Sequence, residues 1–257
     1  MQFNLIDTHC HIDFADFDDD RDQVIQAAVE AHVNDIIVPA VTYESWQRTT
    51  SICDQYSQCH LALGLHPIFI DEHQPQHLTA LNSAIEKYSP IAVGEIGLDF
   101  YLPDQQLDRE KQMLFFTKQL IIAKQHELPV IIHNRKAHDE CLQVLQKQNL
   151  KGGIIHAFNG SIQQAKKYIE LGFLLGFGGM LTYERSRKLR TLLKALPLDS
   201  IVLETDAPDM TVEQHRGQRN SPEYIPYVLA AVSEVCEIEH AEIAQITRTN
   251  VQQLFAI

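Results

Sequence analysis

Asp7, His9 and His11 alternate through Ile6-Asp7-Thr8-His9-Cys10-His11. Side chains of an extended strand alternate faces, so these three are expected to point the same way. Two imidazoles and a carboxylate on one face make half of a metal site. Further polar residues stand at or just past the ends of later apolar runs: His66, Glu95, His133, His156 and Asp206. Histidine with carboxylate, and no cysteine, is a donor set for zinc, manganese or magnesium rather than copper(I) or an iron-sulfur cluster. Even without His66 and Asp7, four histidines and two carboxylates exceed one tetrahedral site. They suit two divalent metal cations about 3.5–4 Å apart with a shared carboxylate, the arrangement that activates water against a resistant bond.

These residues must be brought together by the elements that carry them. Short β-branched or apolar runs alternate with amphipathic stretches along the whole chain. Strands are expected at 4–9, 35–41, 60–66, 91–98, 129–134, 153–158, 173–178 and 200–205. Helices are expected at 20–32, 44–56, 75–88, 104–126 and 137–148, then around Ile162, Ala165 and Ile169, and at 185–196. Two more close the chain, one through Ile225, Val228, Leu229, Val232 and Val235 and one at 241–255. Eight strand-helix repeats with runs apolar on both faces predict an α/β fold of the (β/α)8 TIM-barrel kind, with a doubly wound open sheet as the alternative. No linker or low-complexity tract interrupts residues 1–257, which are read as a single domain. In a barrel, the C-terminal strand ends share one mouth, so His9, His66, Glu95, His133, His156 and Asp206 become neighbours.

Composition bounds the partners. Lys plus Arg is 21 and Asp plus Glu is 34, a formal net charge of -13. That argues against duplex binding through overall charge but leaves room for a local basic face. Arg135, Lys136, Arg185, Arg187, Arg216 and Arg219 follow strands five, seven and eight and could rim the mouth. Arg187 to Arg190 read instead as a solvated helix face. His66, before Pro67, is either a packed histidine or a substrate contact. Glu204 and Asp7 are candidates to orient ligands. Cys10 is expected to face away into packing, and Asn250 to make a buried structural hydrogen bond. Five unpatterned cysteines suggest free thiols. The N-terminus lacks a secretory pattern and no apolar run reaches the ~18 residues of a membrane span, so no membrane role and a cytoplasmic location are expected.

DTHCHID at 7–13, GLHP at 64–67, GEIGLDF at 94–100, IIHNR at 131–135, HAFNGS at 156–161, ETDAP at 204–208 and TNVQQLF at 249–255 appear in order along the chain. Together these blocks resemble the TatD family of metal-dependent hydrolases, and GGMLTY at 178–183 with ETDAPDM at 204–210 looks most like its YjjV branch. The resemblance implies an amidohydrolase-like TIM barrel with two divalent cations (magnesium, manganese or zinc). It implies that His9, His11 and Asp206 hold one metal, that His133 and His156 hold the other, and that Glu95 bridges. Asp206 would also orient or deprotonate the attacking water, so Asp206 and Glu95 are the catalytic pair, with His66 and Arg135 as substrate contacts. The best-known family activity is deoxyribonuclease, including removal of nucleotides from 3′ ends, which makes DNA or another phosphodiester the expected substrate. A small amide, ester or lactone substrate is the alternative, and a barrel keeping metals only for stability or binding the third reading. Ala157 and Ser221 stand where many nucleases of the family have cysteine or glycine, and glutamate.

Overall fold

The computed structural model describes residues 4–101, 108–255 and 257. Eight strands form one parallel sheet in sequence order: β1 (Leu5–Asp7), β2 (Val33–Pro39), β3 (Cys59–Leu63), β4 (Ala92–Asp99), β5 (Val130–Arg135), β6 (Gly153–Ile155), β7 (Phe173–Phe177) and β8 (Ile201–Leu203). Between them run α1 (Arg21–Glu30), α2 (Trp46–Gln55), α3 (Pro75–Tyr88), α4 (Arg109–Gln125), α5 (His138–Leu145), α6 (Ile162–Glu170) and α7 (Arg187–Lys194), and the chain ends in α8 (Ile225–Cys236) and α9 (His240–Leu254). This is the expected (β/α)8 barrel. The expected start of the fourth helix at Asp104 lies outside the described residues.

Every strand contributes a side chain to one buried apolar cluster inside the barrel. Ile6, Ile37, Ala62, Ala92, Ile131, Ile154 and Val202 form one buried cluster, with Leu174 packed against it. Val251 and Phe255, from the end of α9, join this cluster and close it from below. Burying each such branched side chain contributes roughly 1.5–3 kcal/mol. A second, larger cluster lies between the strands and the helices, and Cys10 belongs to it, fully buried. None of the five cysteines is paired. Asn250 donates to the carbonyls of Leu198 (2.9 Å) and Ile201 (2.8 Å), the structural role expected of it.

Several strands are shorter at their C-terminal ends than the apolar runs suggest. The ladder stops at Asp7, Ile155 and Leu203, before His9, His156 and Asp206. Closure between β8 and β1 is made by the residues just beyond. The Thr8 N–H donates to Leu203 O (3.0 Å), the Asp206 N–H to His9 O (2.8 Å) and the His11 N–H to Ala207 O (2.8 Å). No helix among the described residues is long and apolar enough to cross a membrane.

Candidate metal centre

Glu95 lies mid-way along β4, whose eight residues are all buried, and its carboxylate is 2% exposed. Each of its oxygens serves a different pair of histidines. Oε2 is 3.1 Å from His9 Nε2 and 3.4 Å from His11 Nε2, while Oε1 is 3.2 Å from His66 Nε2 and 3.2 Å from His133 Nδ1. Asp206 Oδ1 closes the first side, 3.7 Å from His9 Nε2, 3.8 Å from His11 Nε2 and 3.6 Å from His156 Nε2. Three groups therefore have donor atoms close enough for one ion: His9, His11 and Asp206; His9, Glu95 and His156; and His66, Glu95 and His133.

The second nitrogen of each ring decides which of these atoms carries a lone pair, because a neutral imidazole has one donor and one acceptor nitrogen. His11 Nδ1 faces the Pro39 carbonyl at 3.1 Å, so it donates there and leaves Nε2 bare. His133 Nε2 donates to Asp99 Oδ2 at 3.1 Å, leaving Nδ1 bare toward Glu95. His156 Nδ1 lies 3.1 Å from Glu204 Oε1. That contact is too poorly aligned to count as a hydrogen bond, but the carboxylate still favours the proton on Nδ1 and a bare Nε2. His66 is the opposite case. Its Nδ1 accepts the Ile68 N–H at 3.1 Å, so the proton must sit on Nε2, the atom turned to Glu95. Such a nitrogen donates hydrogen bonds and does not ligate a cation. The donor chemistry thus fits divalent metals on His11, His133, His156, Glu95 and Asp206 and sets His66 apart. His9 Nδ1 is buried with no partner among the described residues, and its Nε2 faces Glu95 and Asp206.

Burial opposes the protons of His11, His133 and His156, but the neighbouring carboxylates hold all three above the usual imidazole range, so a bound cation would displace a proton from each. Burial alone would raise the Glu95 carboxyl, but His66, His9, His11 and His133 hold it well below the usual range. Burial likewise opposes the Asp206 charge, and His156, His9 and His11 overcome it and bring the group down to about 2. Burial pushes His66 down to about 4, despite the pull of Glu95, so it is neutral near pH 7.

The supports of these side chains are built into the backbone. Asp206 sits in the left-handed region (φ 59), and so does Ala157 (φ 44). Such conformations persist in non-glycine residues only where the surroundings fix them. Asp206 is fixed by the His9 carbonyl, and Ala157 by donating to Glu204 Oε1 at 2.7 Å. Gly97 has φ 146, and a Cβ there would come within 1.9 Å of the His133 carbonyl, so glycine lets β4 and β5 meet beside His133. A Cβ on Gly176 would lie 2.1 Å from Glu204 Oε2, so glycine makes room for that buried carboxylate.

Asp7 does not share the face of His9 and His11. Because the ladder ends at Asp7, alternation does not carry through, and its oxygens accept instead from the His9 N–H (3.2 Å), the Thr205 N–H (2.9 Å) and the Thr205 hydroxyl (2.5 Å). It orients backbone, not a ligand ring. Two supports escape a reading of the sequence. Gln112 and Gln119, two turns apart on α4, are both buried. Gln112 brackets the N–H and carbonyl of Asp99 (2.9 and 3.0 Å), and Gln119 those of Leu65 (2.8 and 3.1 Å). Their seven-residue spacing in a helix with an apolar face was the available signal.

The centre opens into a cleft of about 1240 Å³. Arg135, Arg185, Arg187 and Lys188 line it, and none makes an ion pair among the described residues. Arg135 lies over the Tyr101 ring (3.6 Å) and Arg185 over Tyr183 (5.0 Å). The expected helix face of Arg187 to Arg190 is therefore divided. Arg190 pairs with Glu234 on α8 (2.5 Å), as a solvated face would, whereas Arg187 and Lys188 turn to the cleft. Arg219 is not part of the rim. It makes a two-pronged pair with Asp20 (2.9 and 2.6 Å) and lies over Phe17 (4.3 Å). Lys136 and Arg216 are exposed and do not line the cleft.

Comparison with known proteins gives concordant matches over the whole length. The model of the family described as TatD related DNase matches residues 6–256. The uncharacterized metal-dependent hydrolase YjjV of Escherichia coli is 41% identical over 260 residues, covering 100% of both chains. The uncharacterized metal-dependent hydrolase YabD of Bacillus subtilis is 32% identical, covering 98% of this chain and 99% of its own. The crystal structure of the E. coli YjjV protein, a TatD homolog, superposes with a TM-score of 0.95 at 40% identity over 100% of both chains.

Proposed function

The chain belongs to the TatD family of metal-dependent hydrolases, and from that premise we propose that the bond it hydrolyses is a phosphodiester of DNA. The observation that carries this reading is the charge of the cleft. In a protein of net charge -13, four cationic side chains without ion-pair partners among the described residues line the one cleft onto which Glu95, His133, His156 and Asp206 open. The same lining carries the carboxylates of Glu95, Asp99, Asp206 and Asp209, so the cations offset these, and divalent metals on Glu95 and Asp206 would leave a cationic cleft that collects phosphates.

Two divalent cations held by His9, His11, Asp206, His133 and His156, with Glu95 shared, would supply an activated water and neutralise charge on the phosphate. The chain supplies the rest. Asp206, ionised and 18% exposed, orients the attacking water and receives its proton. His66, neutral with its proton on Nε2, donates to a phosphoryl oxygen as negative charge grows there. Arg135 and Arg187 hold the flanking phosphates. Removal of a nucleotide from a strand end and cleavage within a strand are both open to such a site.

The test is hydrolysis by protein stripped of metal and reloaded with magnesium, manganese or zinc. Labelled single-stranded DNA is offered beside a panel of lactones, esters and amides. Metal-dependent cleavage of DNA is the expected result. Turnover of a small carbonyl substrate with no DNA cleavage under any metal would replace this reading with the alternative one.

A further inference from the structure

The cleft has two unlike halves. Every Lys or Arg that lines it comes from the end of β5 or from α7 and the loop before it: Arg135, Arg185, Arg187 and Lys188. The opposite half is built by the loops after β1 and β3, which lie across the barrel from those after β5 and β7. It presents Phe14, Ile68 and Phe69, with no cation. Phe14 stacks on the His11 ring (4.6 Å between centroids, 18° between planes), and Phe69 meets the His66 ring edge-on at 6.0 Å. Ile68 is 41% exposed although its N–H is tied to His66 Nδ1. This apolar side chain, held open on the lip of a charged centre, stays exposed among the described residues.

We propose that Phe14, Ile68 and Phe69 form a platform for one nucleobase, on the side of Glu95 opposite the basic half that carries the phosphates of the remaining strand. The inference rests on the phosphodiester reading and adds which flank of the scissile bond is recognised by its base. A flat, uncharged π-face suits an apolar shelf, and stacking of this kind tolerates any base. The basic half also has apolar residues, Leu189 and Leu192 among them, but they lie among the four cations. A phosphate-bearing segment suits that half, and an unphosphorylated base suits this one.

The test compares the metal-loaded protein on the dinucleotide TpT with each of the two analogues in which one base is replaced by hydrogen. One analogue is expected to lose roughly tenfold in kcat/KM, the size of one base-stacking contact, and the other to change little. Ile68→Ser, which removes exposed apolar surface and keeps the backbone bond to His66, is expected to bring the affected analogue and TpT together. Phe14→Leu, removing the ring but not the bulk, should move the ratio the same way. The platform is overturned if both analogues are cleaved like TpT, or if the variants leave the difference intact. If TpT is not cleaved with any of the three metals, the phosphodiester reading itself fails, a result distinguishable from cleavage without base dependence.

Discussion

The backbone N–H of Asp206 donates to the carbonyl of His9 at 2.8 Å. Two candidate ligands from opposite ends of the chain are thereby joined through main chain before any metal is considered. The bond closes the barrel between β8 and β1 and holds Asp206 in its left-handed conformation, so fold closure and site assembly are one event.

Glu95 is the only described side chain to contact both histidine pairs. Glu95→Ala is expected to lower hydrolysis by about three orders of magnitude or more and to reduce bound metal. Activity and metal content measured on the same preparation check this. Full turnover with full metal content would contradict the shared-carboxylate arrangement.

His66 differs from the ligand histidines in its tautomer. His66→Ala is expected to lower kcat by about 10²–10³ with metal content unchanged, because a hydrogen-bond donor is lost and not a ligand. Elemental analysis of the variant separates the two roles, since loss of an ion would place Nε2 of His66 on the metal.

The basic rim predicts a contrast within one helix. Arg187→Ala should weaken single-stranded DNA binding and lower the slope of log affinity against log salt by about 0.7, the share of one phosphate contact on a single strand. Arg190→Ala, which frees Glu234, should leave that slope as it was. Equal slopes for both variants would return Arg187 to an ordinary solvated face.

In the metal-free protein, burial opposes and Glu95 with Asp206 favours the His11 proton, and the group moves up to about 8; burial moves Asp7 up to about 8 as well. Both are raised above their unfolded values, so each favours the folded state while protonated. His11 gives that stability in full below about 6.5 and loses it as pH rises through 8, and Asp7 loses its own across the range from about 4 to 8. Chelated protein is therefore expected to melt several degrees lower at pH 8 than at pH 6.5, while metal binding, which expels the His11 proton, strengthens over the same interval. Thermal melts with and without chelator check both signs. A chelated protein more stable at pH 8 would contradict them.

Gln119 brackets both polar backbone groups of Leu65, a residue only 1% exposed. Gln119→Leu leaves the two unpaired and is expected to cost about 2–3 kcal/mol in denaturant unfolding. It should also lower turnover, because His66 is the next residue. Unchanged stability would show that the bracket is dispensable.

Much of this was legible in the sequence because barrels convert order along the chain into proximity at one mouth. His9, His11, Glu95, His133, His156 and Asp206 follow apolar runs, and the structure gathers them around Glu95. What was not legible depends on three-dimensional pairing. Strand alternation placed Asp7 beside the histidines, but the ladder ends before it can do so. Arg187 and Arg190 belong to the same charged helix, and only the presence of Glu234 on α8 separates them. Gln112 and Gln119 take their meaning from strand ends far from them in sequence, which they bracket, and tautomers are invisible without the partner of each second nitrogen.

The most direct measurement of the central claim is anomalous scattering from crystals of the metal-loaded protein, collected at the metal's absorption edge. The expected result is two peaks flanking Glu95, one beside His9, His11 and Asp206 and one beside His133 and His156, with His66 Nε2 bonded to neither. A single peak, or a peak within ligand distance of His66 Nε2, would contradict it.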